Sequence, residues 1–150
     1  MNTAALLDAV VSHAQALGLF ERVNGHEPKN APGNGLSYAV WVDRIQPLGS
    51  VSGLSETSGV IVLNGRVYTS MTTEPQDFID IHALDAIDAL MTSYSGDYDL
   101  GGQVRNVDLL GQSGFALSME AGYLNQDGKL FRVMTLTIPL IVNDLWSQHE

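Results

Sequence analysis

The sequence predicts an α+β fold: a single domain, residues 1–150, with a mostly antiparallel, mixed sheet of about five strands and two helices packed on one face. Three observations lead there. Two segments, 3–18 and 77–94, repeat apolar residues at helical spacing. Five others, at about 36–45, 60–71, 103–111, 115–124 and 129–142, read as extended runs. The chain has 150 residues, 45% hydrophobic and 16% charged, which is apolar enough for one core and too short for two.

The first helix puts Leu6, Leu7, Val10, Val11, Ala14 and Leu17 on one side and Asp8, Ser12 and Gln15 on the other. Asn2 or Thr3 can cap its start, and Gly18 suits the left-handed position after its end. Residues 24–35, NGHEPKNAPGNG, are dense in glycine, proline and asparagine and read as a loop. In 36–45, Tyr38, Val40 and Val42 alternate with Ala39, Trp41, Asp43 and Ile45. Both faces are largely apolar, which places this strand inside a covered sheet. Residues 46–59, QPLGSVSGLSETSG, have little to bury, and loops of that length are mostly functional or disordered.

In VIVLNGRVYTSM, 60–71, Asn64–Gly65 is a hairpin signal. The alternation of Ile61, Leu63, Val67 and Met71 runs straight through it, so one long strand with a bulge at Gly65 is expected, a hairpin being the alternative. The second helix carries Phe78, Ile81, Leu84, Ile87, Met91 and Tyr94 as its apolar stripe. Pro75 precedes it, and Asp77 and Asp80 lie near its positive end. SGDYDLGG, 95–102, is a turn, and Asn125-Gln126-Asp127-Gly128 is a tight turn between two extended runs. Pro139 cannot donate to a ladder, so it marks a bulge or an edge in the final strand. Trp146 is the one large apolar anchor of the tail NDLWSQHE.

The chemistry-bearing residues do not converge on a reaction. With no cysteine, disulfides, thiolate catalysis and thiolate-bound metal are excluded. The net charge is −10, and the basic residues (Arg22, Lys29, Arg44, Arg66, Arg105, Lys129, Arg132) are scattered, which argues against wrapping nucleic acid. The N-terminus lacks the basic start and cleavage site of a secretory signal, and no run of 18 apolar residues exists. A protein made and kept in a cytoplasm is expected. His82 and Asp85 lie one helical turn apart, but a zinc site needs further ligands. They read as two solvent-facing polar residues. Asp97 and Asp99 have the D-x-D spacing of calcium loops, yet position 101 is glycine and 108 is aspartate. The carboxylates of Asp77, Asp80, Asp85 and Asp88 lie opposite the apolar stripe, where burial would not split their pKa values. PGNG, 32–35, precedes a strand, not the helix start that a phosphate cradle needs, and no G-x-S-x-G elbow occurs. Neither an enzyme nor a cofactor or metal site is expected. Trp41, Trp146, the glycine–serine loop and the long apolar final strand point instead to a surface role.

FERVNGHEPKNAPGNGLSYAVWVDRIQPL (20–48), LGGQVRNVDLLG (100–111) and AGYLNQDGKLFRVMTLTIPLIVNDLW (121–146) resemble tail terminator proteins of long-tailed, siphovirus-type phages, particularly those infecting actinobacteria. The resemblance implies a small domain related to tail-tube proteins and a structural role in the virion neck. Such proteins form a homo-oligomeric ring, a hexamer, on the head-proximal end of the tail tube. They stop tube polymerisation and join to a head-completion or connector protein. DNA passes through the lumen without specific binding, and no membrane is involved. Assembly would take place in the host cytoplasm. The nearest alternative is another neck or tail component, a head-closure or tube protein; a more distant one is a metal-dependent enzyme using His82 and Asp85. For contacts, the 46–59 loop with Leu48, Val51, Leu54 and Glu56 is expected to dock on the tube or connector. His26 and Asn34 in the 24–35 loop come next, and Trp146 would clip onto the neighbouring subunit. Asp43, Glu56, Asp97, Asp99 and Glu120 are candidates for an acidic lumen that repels DNA, although an acidic surface also keeps a free subunit soluble.

Overall fold

A computed structural model describes residues 3–25, 36–47, 56–70, 78–96, 100, 104–111, 114–126 and 128–147. Along the chain these form α1 (Thr3–Ala16), β1 (Arg22–Asn24), β2 (Ser37–Pro47), β3 (Glu56–Ser70), α2 (Phe78–Ser95), β4 (Asn106–Val107), β5 (Ser118–Gln126) and β6 (Lys129–Ser147). Among the described residues the strands make one curled sheet in the order β1-β2-β3-β6-β4, with β5 also paired to β6. Only β1 with β2 is parallel. The result is a single α+β domain.

Both helices cover the same face of the sheet. Leu6, Val10 and Ala14 of α1 and Ala83, Ile87, Leu90 and Tyr94 of α2 meet Tyr38, Val40, Ile61, Leu63, Val67, Met134, Leu136, Ile138 and Leu140. Gly18 ends α1 with φ 69°, and its N–H donates to the Gln15 carbonyl at 3.2 Å. The stripe predicted for α2 is partly wrong. Ile81 and Leu84 are 48% and 41% exposed, whereas Ala83 and Ala86 are buried. The helix carries two competing apolar stripes, and the side with alanines lets its backbone approach the sheet closely. The opposite sheet face is apolar too, in two patches. One holds Ala39, Tyr68, Phe131 and Val133 with Trp41 and Leu124 against them; the other holds Val60, Val62 and Ile141 under Phe115.

Several element boundaries differ from the sequence expectation. An unforeseen short strand, β1, pairs with residues 37–39 alone. Consequently Ser37–Val40 are buried, but Val42, Asp43, Arg44 and Ile45 are exposed, so only half of β2 lies in a covered sheet. β3 begins at Glu56, shortening the interval after β2 to residues 48–55, which lie outside the described residues. Asn64 and Gly65 sit within β3, paired to Trp41 and Val40 on one side and Thr137 and Leu136 on the other. The register shifts fall at Val42/Arg44 and Thr57/Gly59 and not at Gly65. Among its described residues the segment 103–111 supplies two strand residues, Asn106 and Val107. Asp108 ends it by folding the chain into a turn, its Oδ1 accepting from the Gly111 N–H at 3.1 Å. Gln126 pairs with Lys129, and Gly128 has φ 76° where the chain reverses between β5 and β6.

Pro139 occupies an interior strand. Its carbonyl accepts from the Asp108 N–H at 2.9 Å, so the position of its missing N–H faces the same side. There the ladder passes from β5, ending at Ser118↔Thr137, to β4, starting at Val107↔Leu140. The proline falls in that gap, where no ladder donor is needed, which is why neither an edge nor a bulge is required.

The hydroxyls of Tyr38 and Tyr94 hydrogen-bond at 2.8 Å in the core. Burial, and then the neighbouring Tyr38, hold the ionisation of Tyr94 well above its ordinary range. A folded-state pKa above the unfolded one means full stability below about pH 10, lost as the pH rises beyond it. The urea unfolding midpoint is therefore expected to decline above about pH 10. Tyr94→Phe should lower stability by about 1 kcal/mol at neutral pH and flatten the alkaline decline. Equal alkaline slopes in the two proteins would assign the effect to another group.

Candidate interaction surface

The contact residues expected from the sequence divide into two groups. His26, Asn34, Leu48, Val51 and Leu54 lie outside the described residues, as do the lumen candidates Asp97 and Asp99. Glu56 and Trp146 lie on adjacent strands at one end of the sheet, where Glu56 pairs with Ser147 and Thr57 with Trp146. Asp43 and Glu120 are exposed on β2 and β5, towards opposite edges of the sheet.

The most exposed large apolar side chain among the described residues is one that the sequence reading placed in a strand. Leu110 is 87% exposed, and Leu109 precedes it at 40%. Both stand on a turn held from several directions. Asp108 is buried, its backbone N–H donates to the Pro139 carbonyl, and its own carbonyl accepts from the Leu117 N–H at 3.1 Å. Gly111 (φ 81°) and Gly114 (φ 102°) let the chain reverse, with the Gly114 N–H on the Gly111 carbonyl at 3.0 Å. The signal was in the sequence: an aspartate three residues before a glycine is a turn, so the leucines between them ride on its tip.

A second exposed group lies by the start of α2. The Arg132 Nε donates to Asp80 Oδ1 at 2.9 Å, Nη1 donates to the Gly122 carbonyl at 3.2 Å, and the guanidinium lies 4.5 Å from the Tyr123 ring centroid. Tyr123, Leu130, Ile81 and Leu84 are exposed on the same side of the sheet. Arg132 thus ties α2 to the β5–β6 hairpin and covers an aromatic face. Two other arginines do the same on the opposite face. Arg66 lies over Trp41 at 5.3 Å and donates to Thr135 Oγ1 at 2.9 Å, and Arg44 lies over Phe115 at 5.0 Å. In these places the arginines act as packing elements with a polar edge.

Asp80, Asp85 and Asp88 are exposed along α2. Of His82 only the backbone is described. Among the described residues no three histidine, aspartate or glutamate side chains come together. A shallow depression of about 680 Å³ runs along the end of α2 between Asp88, Met91, Thr92, Ser95 and Gly96. Its Thr92 hydroxyl donates to the Asp88 carbonyl of the same helix at 2.7 Å. Burial lowers the His13 pKa, and its ring packs 6.4 Å from that of Tyr94. Among the described residues no helix is long and apolar enough to cross a membrane. No protein-family model matches the chain, and no curated protein matches it.

Proposed function

We propose that this chain is a structural virion protein of the tail terminator type. It forms a six-membered ring on the head-proximal end of a phage tail tube, stops tube growth and offers its outer face to a head-completion protein. The resemblance of residues 20–48, 100–111 and 121–146 carries this reading. The fold lends physical support. A capping ring needs subunits whose contact groups are fixed before docking, because ordering them on contact weakens binding. Leu109 and Leu110 meet that need, being exposed but mounted on a turn pinned to β6. The net charge of −10 suits a ring through which DNA must slide without sticking. In this reading the chain transforms no substrate and needs no cofactor, and it resides in the virion neck after assembly in the host cytoplasm.

The test is to polymerise tail-tube protein with and without the purified chain and image the tubes by electron microscopy. With it, tubes should have a defined length and a ring of extra density at one end. Leu110→Asp, a change at an exposed side chain, should leave the fold intact and reduce capped ends about tenfold. Tubes of uncontrolled length with bare ends in the presence of the folded wild-type chain would overturn the proposal.

A further inference from the structure

Two apolar features of the chain face solvent, one raised and one stepped. The raised one is the tip of the turn after β4, with Leu110 87% and Leu109 40% exposed above a buried Asp108. The stepped one lies where α2 drops to β5. Arg132 bonds Asp80 of α2 and the Gly122 carbonyl of β5, so Asp80 faces β5. Leu84, four residues on, lies only about 40° further round the helix, and Ile81 crests it at about 100°. Below them, on the same face of the sheet, Tyr123 pairs with Arg132, and Leu130 follows by alternation. Ile81, Leu84, Tyr123 and Leu130 are 48%, 41%, 61% and 47% exposed, and the exposed Ala121 extends the floor.

Neither feature can cover the other within one molecule. The turn is pinned to Pro139 through the Asp108 N–H, and Leu110 is two residues past Asp108. Arg132, opposite Tyr123, is seven residues before Pro139 on β6, and Leu130 is nine before it. At about 3.3 Å per residue the step is roughly 23–30 Å away along the strand, beyond the reach of a leucine side chain.

Their charges are opposite. Asp80, Asp85 and Asp88 are exposed along α2 beside the step, and Lys129 falls by alternation on the other face of the sheet. Within 104–117, Arg105 is the exposed charged residue among those described, because Asp108 is turned inward. A narrow apolar tip beside a cation therefore matches an apolar step rimmed by carboxylates.

We propose that neighbouring copies join through these two features, Leu109 and Leu110 of one seating between α2 and the β5–β6 hairpin of the next. This rests on the ring reading and specifies its subunit contact. Two different patches make the contact head-to-tail, the type that closes into a ring by rotation. So few side chains fall short of the roughly 1,200 Å² that a stable pair buries. Free chains then associate weakly, and the contact is completed on a tube end, where neighbours are held side by side.

The chain has no cysteine, so a thiol cross-linker joins only introduced residues. Leu110→Cys mixed with Leu84→Cys and treated with a short bismaleimide should give heterodimer about tenfold faster than Leu110→Cys mixed with Asp43→Cys, an exposed site towards the other edge of the sheet. Both leucine changes in one chain should give a ladder of multiples. All three positions are exposed, and circular dichroism checks that each variant is folded. Equal rates at positions 84 and 43 would overturn the contact. On tube ends, a benzophenone carried on the Leu110→Cys thiol should photo-cross-link to a second copy; capture of tube protein in its place would also overturn it. Wild-type chains that cap tubes while the rates stay equal leave the ring reading standing with a different contact. A clear rate preference in chains that cap no tube leaves the contact standing without the terminator role.

Discussion

Gly65→Ala is expected to destabilise the domain by about 3 kcal/mol, although it adds a single methyl group. Gly65 sits in the middle of β3 between Val40 and Leu136, in the interior of the sheet. A Cβ there would overlap Tyr38 Oη, lie 2.8 Å from its Cζ and reach within 3.0 Å of Ile138 Cδ1. Tyr38 has little room to yield. Its ring stacks on Phe20 at 5.1 Å and its hydroxyl is engaged with Tyr94. Gly122→Ala, whose added carbon would meet only a Val133 methyl at 4.0 Å, serves as the control and should change stability by less than about 0.5 kcal/mol. Urea unfolding measures both. Tyr38→Phe placed on top of Gly65→Ala removes the overlapping oxygen, so the double variant should lose less than the sum of the single losses. A Gly65→Ala protein as stable as the control would mean that the sheet accommodates the methyl by shifting, and the close-approach explanation would fall.

The second large effect is Leu90→Ala, expected to cost about 3 kcal/mol through lost burial and the cavity left behind. Leu90 is fully buried where α2 meets the sheet, among Ala83, Ile87 and Tyr94. Ile81→Ala removes a comparable volume from the same helix, yet Ile81 is 48% exposed, and the expected loss is below about 1 kcal/mol. The comparison tests which face of α2 packs inward. Equal losses at the two sites would restore the stripe through Ile81 and Leu84 that the spacing alone predicts.

That pair also marks where the sequence was legible and where it was not. Residues with one clear apolar side were easy: Leu6, Val10 and Ala14 fall on the predicted side of α1, and the fold class follows from the two helical and several extended periods. α2 was misjudged because its alanines count as weak hydrophobes in a pattern, while in packing they win by allowing close approach. Asn64–Gly65 has the chemistry of a turn, but Gly65 serves the ring of Tyr38, a constraint from a strand distant in sequence. β1 and β4 were missed or overdrawn because two or three residues carry no period; only their partners define them. The candidate contact surface was less legible still. The leucines at 109 and 110 read as strand core in the sequence, and it is the turn at Asp108 that brings them to the surface.

β6 has a consequence for how the protein comes into being. It is the last of the elements in chain order, yet β3, β4 and β5 all rest on it. During synthesis three described elements, α2, β4 and β5, are made between β3 and its second neighbour. Until Lys129–Ser147 leaves the ribosome, the backbone N–H and C=O groups of β3 are paired on one side only. Between the completion of β3 and the arrival of β6 the growing sheet is half built, a stage at which unpaired strand edges favour clumping.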